Sequence, residues 1–221
     1  MTGARFCFPS GAIALASLGL IGTEGILVSG QNPKEKSRMQ QELRVDLRVH
    51  QTPEQLELAY SFENASAQPI LVFDRLWDMS ASALKQNWAH VEIQGGTATI
   101  QRAIEQIPQG LHLETPAVPY GREIAAHATG AGKFSIELPL KEAGEYFGFM
   151  HRGVQATTVP IHEIKFELGW CLKPASLPPA IHPVELNKET LWLLPYGLAI
   201  NLQVVASSAP VRVELSGQAF H

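Results

Sequence analysis

The chain has 221 residues, a formal net charge of −4 and a charged fraction of 17%. No basic excess is available to neutralise phosphates, which argues against nucleic-acid binding, and so low a charged fraction argues against a disordered or coiled-coil chain. Frequent punctuation by 15 prolines and 18 glycines suits many short strands better than long helices.

The N-terminus has the layout of a secretory signal. Arg5 is the sole charge before Glu24, and Gly11–Gly22 forms an apolar core too short to span a bilayer. Val28-Ser29-Gly30 then places small residues before Gln31. The expectation is a signal peptide over 1–30 and a flexible leader over 31–41, with the membrane touched only through this segment if it stays uncleaved. Cys7 falls in the signal, which leaves Cys171 alone in the mature chain. Flanked by Trp170 and Leu172, that thiol is expected to be buried, the alternative being a reactive thiol or one that pairs between chains.

Leu43, Val45, Leu47 and Val49 alternate with Arg44, Asp46, Arg48 and His50, a first strand with one solvent face. Leu56–Trp77 reads as two strands joined by a tight turn. Leu56, Leu58, Tyr60 and Phe62 make one apolar face, Asn64-Ala65-Ser66 supplies turn chemistry, and Pro69 leads into Ile70–Phe73. Asn64-Ala65-Ser66 also matches a glycosylation sequon.

Asp78–Asn87 reads as a polar loop or a helical turn. Trp88–Gln94 and Thr97–Ile104 read as a hairpin about Gly95-Gly96, with a weak helical period over 100–107. Ile107–Pro119 is a proline-bearing loop. Arg122–Thr129 and Lys133–Leu140 bracket Gly130-Ala131-Gly132, a second hairpin candidate. Gly144–His151 reads as a further strand. Ile161, Ile164, Phe166, Leu168 and Trp170 mark a long one. Lys173–Pro183 is an extended connection, and Leu198–Val205 and Val211–Leu215 close the chain. About ten such strands predict an all-β protein, an immunoglobulin-like antiparallel β-sandwich, as a single domain over 42–217; a split near the proline-rich segment is the alternative.

Signals of chemistry are sparse. The eight histidines are scattered singly; His112 and Glu114 would share a face on a strand, whereas His162 and Glu163 would diverge. Metal-ligand spacings and the nucleophile-elbow pattern are absent, so no cofactor and no metal are expected. The glycine pairs read as turns. Asp74, Asp78 and Glu92 are available as an acidic set, with solvated loop carboxylates the plainer reading. Of the four tryptophans, Trp170 shares the core stripe of its strand, and Trp88 is also read as core. Trp77 and Trp192 stand in loop-like contexts and are the candidate binding-surface residues.

Leu56–Trp77, Gly132–Tyr146 (GKFSIELPLKEAGEY) and Ile164–Leu172 (IKFELGWCL) together resemble a group of exported bacterial proteins without an assigned function. Leu56–Trp77 also resembles the N-terminal domain of periplasmic pilus chaperones and is similar to bacterial immunoglobulin-like proteinase-inhibitor domains. The chaperones have two sandwiches and basic residues that anchor a pilin carboxylate. Here the length leaves no room for a second sandwich, and no Arg or Lys matches those anchors. The expectation is therefore an exported, periplasmic or secreted, non-enzymatic β-sandwich that binds a protein or cell-envelope component through edge strands and end loops. The alternatives are a protease-inhibitor or chaperone-like module and a hydrolase with an unrecognised site.

Overall fold

A computed structural model describes residues 42–78, 82–113, 116–174, 176 and 181–220. The expected signal 1–30 with Cys7, the leader 31–41 and Glu114 lie outside these residues. The described chain is all-β, built from antiparallel and mixed sheets.

Strands β1 (Leu43–Gln51) and β2 (Gln55–Asn64) pair antiparallel, with Leu43 opposite Asn64. Period two gives β2 a strictly alternating burial, and Leu56, Leu58, Tyr60 and Phe62 all point into the core. Asn64 closes the strand as a buried turn residue. Its Nδ2 donates to the carbonyls of Gln68 (2.8 Å) and Ala125 (2.9 Å), and its Oδ1 accepts from the Ser66 amide and hydroxyl. The amide is fully enclosed in the fold, so the sequon is a turn.

The chain then enters β3 (Ile70–Asp78) in a different sheet. The tight turn is present, but the strands on either side of it do not pair. The apolar run Ile70–Phe73 follows from burial on both faces. Ile70 and Val72 join the main core, while Leu71 and Phe73 join a second cluster with Ile104, Cys171, Leu194 and Ala199. Strand β4 (Ala83–Lys85) pairs with the end of β3 where a loop or helical turn was expected.

Strands β5 (His90–Gln94) and β6 (Thr97–Arg102) form the expected hairpin about Gly95 and Gly96, both at positive φ. The weak helical period after Ile100 is overridden, because Ile100–Arg102 continues β6 along a neighbouring strand. Strand β7 (Tyr120–Ile124) pairs with β3, and β8 (Thr129–Glu137) returns to β2. The second hairpin is thus absent. Gly130 and Gly132 sit inside β8 opposite Phe62 and Tyr60, and the two rings occupy the space that a Cβ would need. Here glycine accommodates an aromatic ring from the next strand and makes no turn.

After β9 (Leu140–Lys141), residues expected to form a strand make a turn and a short helix, α1 (Phe147–Met150). Strand β10 (Ala156–Leu172) is the longest element among the described residues. Next come β11 (His182–Leu186) and β12 (Glu189–Leu193), a hairpin whose turn residues Asn187 and Lys188 both have positive φ. Helix α2 (Tyr196–Leu202) occupies most of an expected strand and buries Ala199 against the second cluster. Strands β13 (Val204–Ser207) and β14 (Val211–Phe220) finish the fold, the last running past the expected limit at 217.

Strand β10 organises the second sheet. One edge carries β14 and then β13; the other carries β6 and then β3. A bulge at His162 interrupts the β14 ladder, and the Gly96 carbonyl accepts the amides of both His162 (2.8 Å) and Glu163 (3.3 Å). The expectation of wholly antiparallel pairing fails at β6–β10 and at β9–β14, which are parallel. Between β6 and β10 the chain visits β7, β8 and β9, which supplies the long crossover that parallel neighbours need. The two sheets share one core, with the Tyr60 and Phe166 ring centroids 4.8 Å apart.

Candidate functional site

The first sheet ends at β8, whose outer edge carries no further strand among the described residues. The phase of that edge follows from its contacts. The Leu138 amide donates to Glu54 at the β2 side, whereas the Ser135 amide donates outward to Asn87 Oδ1 (3.2 Å). The Ala131 carbonyl also points outward, to Arg122 Nη2 (3.3 Å). Backbone groups two residues apart on a strand share a direction. Lys133, midway between Ala131 and Ser135, therefore presents its amide and carbonyl outward, with no protein partner among the described residues.

Two grooves flank this edge. One, of about 640 Å³, has Ala89, Val91, Ile136 and Leu138 in its lining and Glu137 and Lys141 among its charges. The other, of about 450 Å³, is lined by residues that include Arg48, His50, Glu57, Lys133 and Phe134. Asn87 and Ser135 line both, so their hydrogen bond stands where the two grooves meet. Asn87 is itself held from beneath. Buried Arg102 donates to the carbonyls of Gln86 (2.6 Å) and Trp88 (3.0 Å), and its guanidinium lies 4.0 Å from the Phe134 ring centroid. Burial lowers the Arg102 pKa, opposed by Tyr60 and Asp74.

A buried charge cluster joins the sheets behind the edge. Asp74, with no side-chain exposure, receives Arg122 through both Nε and Nη2, Arg75 at 3.2 Å and the Tyr60 hydroxyl at 2.8 Å. Arg75 in turn makes a two-pronged contact with Glu189 at 3.0 and 3.3 Å. Burial, then the Asp74 charge, raises the Tyr60 pKa and keeps the phenol protonated. This arrangement satisfies buried charge and fixes β2, β3, β7 and β12 together. Asp74 is therefore not the solvated loop carboxylate that was expected. Glu92 is exposed on β5, and the Asp78 side chain lies outside the description.

Comparison with protein-family models, curated proteins and solved structures finds no match.

The remaining candidates are dispersed. Trp77 and Trp192 are half-buried and lie in strands, β3 and β12, and not in loops. Trp192 Nε1 donates to Glu123 (3.0 Å) and Lys173 Nζ sits 4.2 Å from its ring centroid, while Trp77 pairs across from Leu84. Neither lines the two grooves. Cys171 is buried, and that burial pushes its thiol up to about 12, which removes it as a nucleophile at neutral pH. His112 lies in an irregular segment, not on a strand. His90 Nδ1 meets Glu105 Oε2 at 3.2 Å, and burial lowers the His90 pKa against the pull of Glu105 and Glu145. This pair also lies outside both grooves. Among the described residues no group of three His, Cys, Asp or Glu side chains is placed to hold a metal ion.

The β8 edge escaped the sequence because an unpaired edge leaves no residue signature; it depends on which strands happen to be neighbours. The charge cluster left only a partial one. Asp74 and Arg75 interrupt an apolar run, and Arg102 occupies the buried phase of Thr97–Arg102. A charge at a core position demands a partner.

Proposed function

We propose that this is an exported, non-enzymatic protein with an immunoglobulin-like β-sandwich, and that it binds a partner protein by adding an extended segment of that partner to β8. The observation that carries the reading is the outward backbone of Lys133, which lines one groove next to the Asn87–Ser135 bond where the two meet. Main-chain hydrogen bonds along an exposed edge supply affinity, and alternate side chains of the added strand fill pockets beside it. The grooves provide such pockets, each lined by both apolar and charged side chains. The signal-like N-terminus supports a periplasmic or secreted location.

A chaperone-like or inhibitor module uses the same edge with a different occupant, a pilus subunit or a protease. The His90–Glu105 pair is the feature nearest to acid–base chemistry, but it lines neither of these grooves.

Panning a displayed random-peptide library on the protein tests the edge directly. Selected peptides are expected to protect the Lys133 amide from hydrogen exchange. Their affinity should fall about tenfold in Lys133→Pro, which loses one outward donor and blocks the approach. Peptides that bind the variant equally well and protect other strands would overturn the proposal.

A further inference from the structure

Exposed apolar side chains concentrate at one place. Among the described residues the large apolar groups exposed by more than about a third are Leu113 (38%), Phe149 (56%) and Met150 (50%), and the last two are adjacent in α1. An exposed neighbouring pair on a loop tip calls for an explanation, where a single exposed residue does not. The foot of this tip is fixed. The Phe147 ring stacks on His151, centroids 4.4 Å apart, and meets Phe220 of β14 edge-on at 4.9 Å. The tip itself is open, with nothing within 4 Å of a Cβ built at Gly148 or Gly153.

Charge separates the tip from the rest of the chain. From Tyr146 to His162 there is no Asp or Glu, and Arg152 beside His151 is the one formal charge, in a protein whose net charge is −4. Nearby acids are engaged: Glu145 pairs with Lys85 at 3.5 Å, and Glu142 accepts the amides of Ile93 (3.0 Å) and Phe220 (2.6 Å). We propose that the α1 tip docks on an anionic lipid bilayer, with Phe149 and Met150 entering the headgroup–acyl boundary and Arg152 meeting the lipid phosphates. An exposed apolar tip with a cation beside it matches an anionic interface, and the net negative charge elsewhere would orient the molecule tip-first. This site is separate from the β8 edge and does not depend on the reading of that edge.

The test uses the full chain, and it places the reporter at the tip because the apolar segment 11–22 could itself hold any variant to vesicles. Phe149→Trp is mixed with phosphatidylcholine–phosphatidylglycerol vesicles that carry brominated acyl chains. Its added fluorescence, relative to the parent protein, is expected to be quenched. Quenching should fall about threefold or more on pure phosphatidylcholine, and again in Phe149→Trp/Arg152→Glu. Circular dichroism of each variant should match the parent, since all three side chains are exposed. No quenching beyond that of the parent would overturn the proposal, as would self-association lost in Phe149→Ser/Met150→Ser, which would assign the tip to a second copy. Equal quenching on both vesicle types would overturn the anionic-lipid assignment.

Discussion

Asp74 shows how far one residue can depart from its local context. It stands in an apolar strand and carries a charge that burial would make prohibitive without partners. Arg122, Arg75 and Tyr60 supply them, from β7, β3 and β2. Removing one partner of a buried pair leaves the others uncompensated and costs about 3–5 kcal/mol. Asp74→Ala is accordingly expected to lower unfolding stability by about that amount in urea titration. Tyr60→Phe, which removes one donor to the carboxylate and keeps the ring, should cost less, about 1.5–3 kcal/mol. Equal, small losses in the two variants would show that the cluster is not a coupled unit. The run ILVFDRLW leaves Asp74 looking like a loop carboxylate; neither its burial nor its partners were legible, because the partners arrive from strands remote in sequence.

Strand β8 carries the same lesson at the scale of an element. Gly130-Ala131-Gly132 has turn composition, yet it lies in mid-strand because Tyr60 and Phe62 of β2 need the space that side chains there would fill. Gly132→Ala should therefore destabilise by about 1–3 kcal/mol through overpacking, with a lower midpoint and an unchanged slope in urea. A neutral result would mean that the Tyr60 ring moves aside at no cost. Helix α2 and the β11–β12 hairpin were hidden for related reasons. Ala199 packs on the second cluster with a helical period too short to register, and the Asn187-Lys188 turn follows a proline-rich stretch that dominates the local composition. The period-two stripes of β1, β2, β5 and β10 were legible, since each strand repeats its own pattern regardless of neighbours.

For the whole molecule, β10 is the element on which the second sheet depends. It pairs on both edges, with β14 and β13 on one and β6 and β3 on the other, and Ile161, Ile164, Phe166, Leu168 and Trp170 are fully buried. Amides with two paired neighbours over a dry core open only in global unfolding. Native-state hydrogen exchange is expected to be slowest over Ile164–Cys171 and faster in β11–β12. Uniform rates across these strands would contradict the central role of β10. No described helix is long and apolar enough to cross a membrane, so the tip contact proposed for α1 is an interfacial one.

Some properties of this protein follow from its sequence with little ambiguity: the all-β class, the core face of β2, the burial of Ile70–Phe73, the Gly95-Gly96 hairpin and the burial of Cys171. Each depends on alternation, turn chemistry or flanking residues within a few positions. Only the tertiary structure decided that β2 and β3 belong to different sheets, that β6 runs parallel to β10, that Asp74 has its counter-charges, and that β8 has no further strand beside it among the described residues. Those outcomes rest on contacts between residues tens of positions apart. Alternation specifies which face of a strand is buried; it is silent on which strand lies beside it.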